Sequence, residues 1–111
     1  MSDQDIEWVM RQVPIPVTIS AAIKAYAKEK GMLLREAHDE AIIWFIRYKR
    51  KTGESLFYLV SPSSSKYVSM WIKSPTLSKI KALAEVDDVK ENRLIFSALV
   101  YFLKEKEYIP K

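Results

Sequence analysis

The 111-residue chain sets 18 Lys and Arg against 14 Asp and Glu, a net charge of +4, with two glycines, a single histidine (His38) and no cysteine. That inventory excludes a disulfide scaffold, thiolate zinc sites, iron–sulfur clusters, thiol catalysis and His-based metal cages or nucleophile–base pairs, so neither an enzyme nor a cofactor is expected. The acidic start MSDQDIEWVM lacks the basic region and apolar run of a signal peptide, and no stretch approaches the ~18 uninterrupted apolar residues of a membrane span, so a cytoplasmic protein with no membrane partner is expected.

In chain order, Arg11-Gln12-Val13-Pro14-Ile15 alternates with period two, the pattern of a half-buried strand. From Pro16 the period changes: Ile19, Ile23, Tyr26 and Ala27 form one face of a helix that stops at Gly31, the residue best suited to a left-handed C-terminal cap. A second helix starts near Leu33, with Ala37, Ala41, Trp44, Phe45 and Tyr48 on its buried stripe. The basic run Arg47 to Lys51 lies at its C-terminal end, where cations suit the helix dipole and a solvated surface is expected. Residues 52–65, with Gly53 and Pro62-Ser63-Ser64-Ser65, read as a flexible linker, and the apolar stretch Leu56 to Val60 is open between a short strand and a helical extension. A second strand follows at Tyr67 to Ile72. Ser74-Pro75 reads as an N-cap and first helical position, opening a helix with Leu77, Ile80, Leu83 and Ala84 inward. Asp87-Asp88 closes that helix, and Asp88 with Glu91 suggests a capping box for a last helix carrying Leu94, Ile95, Ala98, Leu99, Tyr101, Phe102 and Leu103.

The two halves align on each other. HDEAIIWFIRYK matches IFSALVYFLKEK without a gap at a constant offset of 57, as from Ala41 to Ala98, and the same offset pairs Ile23 with Ile80, Ala27 with Ala84 and Val13 with Met70. One strand–helix–helix unit is therefore used twice, in residues 8–51 and 66–108. A unit of about 45 residues with one strand can neither satisfy that strand's backbone nor cover its helices alone. Two can, so residues 1–111 are expected to form a single pseudo-symmetric domain, mostly α, with a two-stranded antiparallel ribbon over four helices.

The motif VPIP, the helix closing at Gly31 and the KYVSMWI strand of a second copy resemble the ribbon-helix-helix superfamily, in a tandem single-chain form like the accessory proteins of conjugative relaxosomes. The resemblance implies a β-α-α-β-α-α intramolecular pseudo-dimer whose ribbon enters the major groove of double-stranded DNA. It implies a role as a plasmid-transfer accessory factor that bends DNA and helps position a relaxase, or as a transcriptional repressor, and a monomer able to bind DNA in cooperative arrays. A two-stranded ribbon fits the ~12 Å groove with alternate side chains facing the base edges. Strand alternation puts Val13, Ile15, Val68, Met70 and Ile72 inward, leaving Met10, Gln12, Pro14, Tyr67, Ser69 and Trp71 as the base-facing set, with Gln12 and Ser69 near the centre. Candidate phosphate anchors are Arg35, Lys90 and Arg93 at the starts of the second helices, and Arg11, Lys66 and Lys73 beside the strands.

Plainer roles stand beside these. The aromatic stripes Trp44-Phe45 and Tyr101-Phe102 are expected in the core, and Trp8 either caps the core or contacts a partner. His38-Asp39-Glu40 is expected on a solvated helix face, because adjacent helical residues point in different directions. The outward set lacks the Arg, Lys and Asn usual in the superfamily, so the alternative function is a protein-interaction module using the same apolar ribbon face.

Overall fold

The structure is a computed structural model that describes residues 6–52 and 58–110. Its elements run β1 (Trp8–Ile15), α1 (Val17–Lys30), α2 (Leu34–Thr52), β2 (Lys66–Lys73), α3 (Ser74–Val86) and α4 (Glu91–Glu105). The strands pair antiparallel from Trp8 opposite Lys73 to Ile15 opposite Lys66. At the middle of this register Gln12 faces Ser69, and the two are separated by the sequence offset of 57. Helix starts obey the same offset, Val17 against Ser74 and Leu34 against Glu91.

Local chemistry explains the boundaries. Pro16 is extended (φ −61°, ψ 149°) and precedes the first turn of α1, and at the other end Gly31 adopts φ 65° while Met32 N–H reaches back to Ala27 O at 3.0 Å. The second half repeats this closure with a different residue: Asp88 stands in the left-handed region at φ 51° and Val89 N–H donates to Ala84 O at 2.9 Å. Two capping expectations are corrected. Ser74 lies inside α3 and its hydroxyl donates to Glu7 O, with Lys73 as the N-cap. Asp88 is occupied in ending α3, so α4 begins at Glu91 with Lys90 as its N-cap and no side-chain cap. The first half does use an acidic residue at the helix start, where the Glu36 carboxylate accepts from Leu33 N–H at 2.8 Å.

The core lies between the ribbon and the helices. Val13, Ile15, Met70 and Ile72 point down from the strands onto Ile23, Ile42, Phe45, Ile80, Leu99 and Phe102, all buried. β1 packs on α4 and β2 on α2, so each strand covers the second helix of the other half. Where α2 crosses α4 the aromatic contacts are reciprocal: Phe45 stacks on Tyr101 with centroids 5.7 Å apart, and Phe102 meets Trp44 edge-on at 5.8 Å. Trp44, Tyr48 and Tyr101, expected inside, are only half-buried.

Between the halves, residues 53–57, and with them Gly53 and the start of the Leu56–Val60 stretch, lie outside the described residues. The chain returns at Tyr58 as an irregular strap, neither strand nor helix up to Ser65. Tyr58 and Leu59 pack against the core, the Tyr58 ring edge-on to Phe45 at 6.1 Å, and polar contacts add to this. Tyr58 hydroxyl donates to Asp87, which also accepts from Lys49 at 2.7 Å; Leu59 N–H donates to buried Ser97 Oγ at 2.7 Å; and Ser61 hydroxyl donates to Pro14 O. The hydrogen bonds from Lys49 and then Tyr58 hold the Asp87 carboxyl below its usual range.

The expected solvated triplet is also corrected. His38 retains only 4% of its exposure, and burial, with Lys24 of α1 adding repulsion, lowers its pKa to about 4. Asp39 is half-buried, and the Glu40 carboxylate accepts the Tyr26 hydroxyl. The α1–α2 packing covers more of α2 than its polar triplet suggests.

Two predictions follow from these sites. A Cβ at Gly31 meets no atom within 4 Å, so Gly31→Ala costs only the left-handed backbone, about 1 kcal/mol, while Asp88→Gly relieves the same strain and raises the urea midpoint. For His38 the folded pKa is depressed, so its contribution is complete above the unfolded value of 6.5 and is lost as pH falls through about 4. The expected loss is about 3 kcal/mol across that window, and His38→Gln flattens the slope measured by denaturant titration at successive pH values.

Candidate nucleic-acid interface

The ribbon is the one sheet among the described residues, and its outer face has a simple composition. Four cross-strand pairs alternate onto it: Trp8 with Lys73 at one end, then Met10 with Trp71, Gln12 with Ser69, and Pro14 with Tyr67. Tyr67 is 70% exposed, Trp71 48% and Met10 38%; Gln12 and Ser69 are exposed and Pro14 is half-buried. A hydrogen-bonding centre is thus flanked on both sides by apolar surface, and each pair draws one residue from each half of the chain. Gln12 Nε2 donates to Ser69 Oγ at 3.1 Å, which uses one N–H of the exposed amide and leaves its carbonyl oxygen and second N–H for another partner.

Along the outer edge of β1 every second carbonyl accepts from a side chain: Met10 O from Arg11 at 3.2 Å, Gln12 O from Asn92 at 3.3 Å, and Pro14 O from Ser61. In an antiparallel pair the residues whose carbonyls point away from the partner also point their N–H groups away. Pro14 has this parity, so its missing N–H removes no bond from the ladder. The same parity makes Met10–Trp71, Gln12–Ser69 and Pro14–Tyr67 the closely spaced pairs, in which side chains approach best. Asn92 was not singled out by sequence reasoning. Its only signal is its place in the first turn of a helix that packs on β1.

Of the six candidate phosphate anchors, Arg35 and Lys73 converge. They come from α2 and from the end of β2, and both lie over the indole of Trp8, at 4.7 and 5.5 Å from the ring. Trp8 therefore neither caps the core alone nor stands free; it carries two cations at one end of the ribbon. Lys66, opposite Ile15, is exposed at the other end, and Arg11 lies along the β1 edge. Lys90 is exposed at the N-cap of α4, two residues before Asn92. Arg93 differs from the rest: its guanidinium donates to Tyr58 O at 2.8 Å and its Nε is buried, so it fastens the strap.

No group of three or more His, Cys, Asp or Glu side chains that could hold a metal is present among the described residues, and no helix there is long and apolar enough to cross a membrane. Comparison of the chain with protein-family models, curated proteins and solved structures gives no match. If Trp8 holds Arg35 as described, a double-mutant cycle between Trp8→Leu and Arg35→Gln yields a coupling of about 0.5–1 kcal/mol in unfolding free energy. A coupling near zero would show that the stacking adds nothing.

Proposed function

We propose that the chain is a double-stranded DNA-binding protein of the ribbon-helix-helix kind, in which one polypeptide supplies both strands of the ribbon. The observation that carries this reading is the outer face of β1 and β2: alternate side chains around a polar Gln12–Ser69 centre, with Arg35 and Lys73 over Trp8 at one end, Arg11 along the β1 edge, Lys66 at the far end of the ribbon and Lys90 at the N-cap of α4. A two-stranded ribbon matches the width of the major groove. The reciprocal Phe45–Tyr101 and Phe102–Trp44 contacts, and the strands that cover each other's helices, are what two joined copies of one unit produce. On this reading the domain is an intramolecular pseudo-dimer.

The two strands are not alike, so the site they read is asymmetric. Gln12, steadied by Ser69, is the residue with base-pairing geometry, offering an acceptor and a donor to an adenine edge. Met10, Trp71 and Tyr67 supply apolar contact to thymine methyls and sugar edges. The cations anchor phosphates on either flank and set register without reading sequence. The resemblance in the sequence gives this activity a setting, as an accessory factor in plasmid conjugation working beside a relaxase, or as a transcriptional repressor. The second reading, a protein-binding ribbon, draws on the exposure of Tyr67 and Trp71.

Titration of duplex DNA at increasing salt separates the two. Affinity should fall steeply, with Lys90→Ala and Arg35→Ala each lowering the log–log slope by about one. Gln12→Ala should reduce discrimination between preferred and random duplexes by about 1–3 kcal/mol and leave the slope unchanged. No binding to any duplex at low salt rejects the DNA reading and assigns the Trp71 face to a protein.

A further inference from the structure

The offset between the halves exposes an inequality on the helices. At the α4 positions matching Asp39, Glu40 and Ile43 stand Phe96, Ser97 and Val100, all buried, and the strap lies on that face through Leu59 N–H and Ser97 Oγ. Among the described residues no strap segment covers the corresponding face of α2. There Asp39, Glu40, Ile43, Trp44 and Arg47 line an open groove of about 510 Å³, closed on one side by Phe102 and Lys106 of α4. Trp44 stacks on Tyr48 (5.2 Å, 17°) and forms the apolar middle with Ile43.

The charges along this groove are ordered. Asp39 and Glu40 lie one turn before Ile43 and Trp44, and Arg47 lies one turn after them, so acidic, apolar and basic surface succeed one another over about 12 Å of helix. Glu40 is engaged by the Tyr26 hydroxyl, but Asp39 Oδ1 is buried with no hydrogen-bond partner. Surface carrying both signs around an apolar centre does not suit a polyanion. It suits a helix bearing the same three features in reverse order, and α2 run antiparallel is such a helix. A two-fold axis near Ile43 and Trp44 sets Arg47 of each copy against Asp39 of the other, and the contact closes on itself.

We propose that this face is where two copies of the chain pair, α2 against α2. No ribbon residue lines the groove, so the pair leaves both ribbons open, and the proposal stands independently of what the ribbon binds.

Sedimentation equilibrium over a wide concentration range tests it. The wild-type mass should rise toward that of two chains, whereas Arg47→Glu and Asp39→Arg should each weaken pairing by about tenfold or more. An equimolar mixture of the two variants should restore pairing as a one-to-one complex, because every reversed charge then meets its opposite. Circular dichroism should show both variants folded, and if either is not, Arg47→Gln and Asp39→Asn take their place, each weakening pairing alone and recovering part of it on mixing, because the mixed pair keeps one of the two Arg47–Asp39 contacts. A wild-type chain that stays monomeric up to about 1 mM overturns the proposal. So does a dimer indifferent to substitution at Arg47, or a mixture of folded charge-reversal variants that stays monomeric while the wild type pairs.

Discussion

Everything in this domain depends on β1 finding β2. Each half has a single strand, and a lone strand leaves a row of N–H and C=O groups without partners over a hydrophobic floor. The pairing meets that need and also brings each strand over the second helix of the opposite half, so backbone satisfaction and core burial are one event. Neither half has a core that closes without the other. The register is equally constrained: a shift of β1 by one residue would turn Val13 outward and drive Gln12 into the apolar floor, and a shift of β2 would do the same with Met70 and Ser69.

The same register produces the candidate interface. Residues the core does not need are the ones left on the outer face, and crossing the strands joins a residue of one half to a residue of the other in every pair. Near-symmetry in the backbone thus coexists with asymmetry in the side chains. Trp8, which holds Arg35 and Lys73 over its ring, gives one end of the ribbon a cation pair, while the other end has exposed Lys66 beside Tyr67. Direction along the ribbon is built in.

Much of this was legible in the sequence because the information is periodic. Alternation at Val13 and Ile15 and at Met70 and Ile72 separated the two ribbon faces, and the offset of 57 located both sets of helices. What was not legible depends on distance across the fold. The burial of His38 comes from α1 lying over α2, and no local pattern announces it. Ser74 reads as a cap until Glu7 O is nearby, and Asp88 reads as a cap for α4 until its left-handed backbone is seen to end α3. Arg93 looks like a free cation beside Lys90, but Tyr58, 35 residues earlier, supplies the carbonyl that occupies it. In the same way Asn92 gains its meaning only from Gln12, which lies 80 residues before it.

The strap bears on assembly. A strand that pairs with its counterpart in the same chain can pair as well with the counterpart in another chain, so exchange between molecules is the standing hazard of such a design. Joining the halves covalently holds them at an effective concentration in the millimolar range. Tyr58, Leu59 and Ser61 then moor the returning chain to α2, the α3–α4 turn, α4 and β1, shortening the free path between the strands and favouring closure within one polypeptide. The segment that looks like a spacer acts as a selector of which β2 each β1 meets.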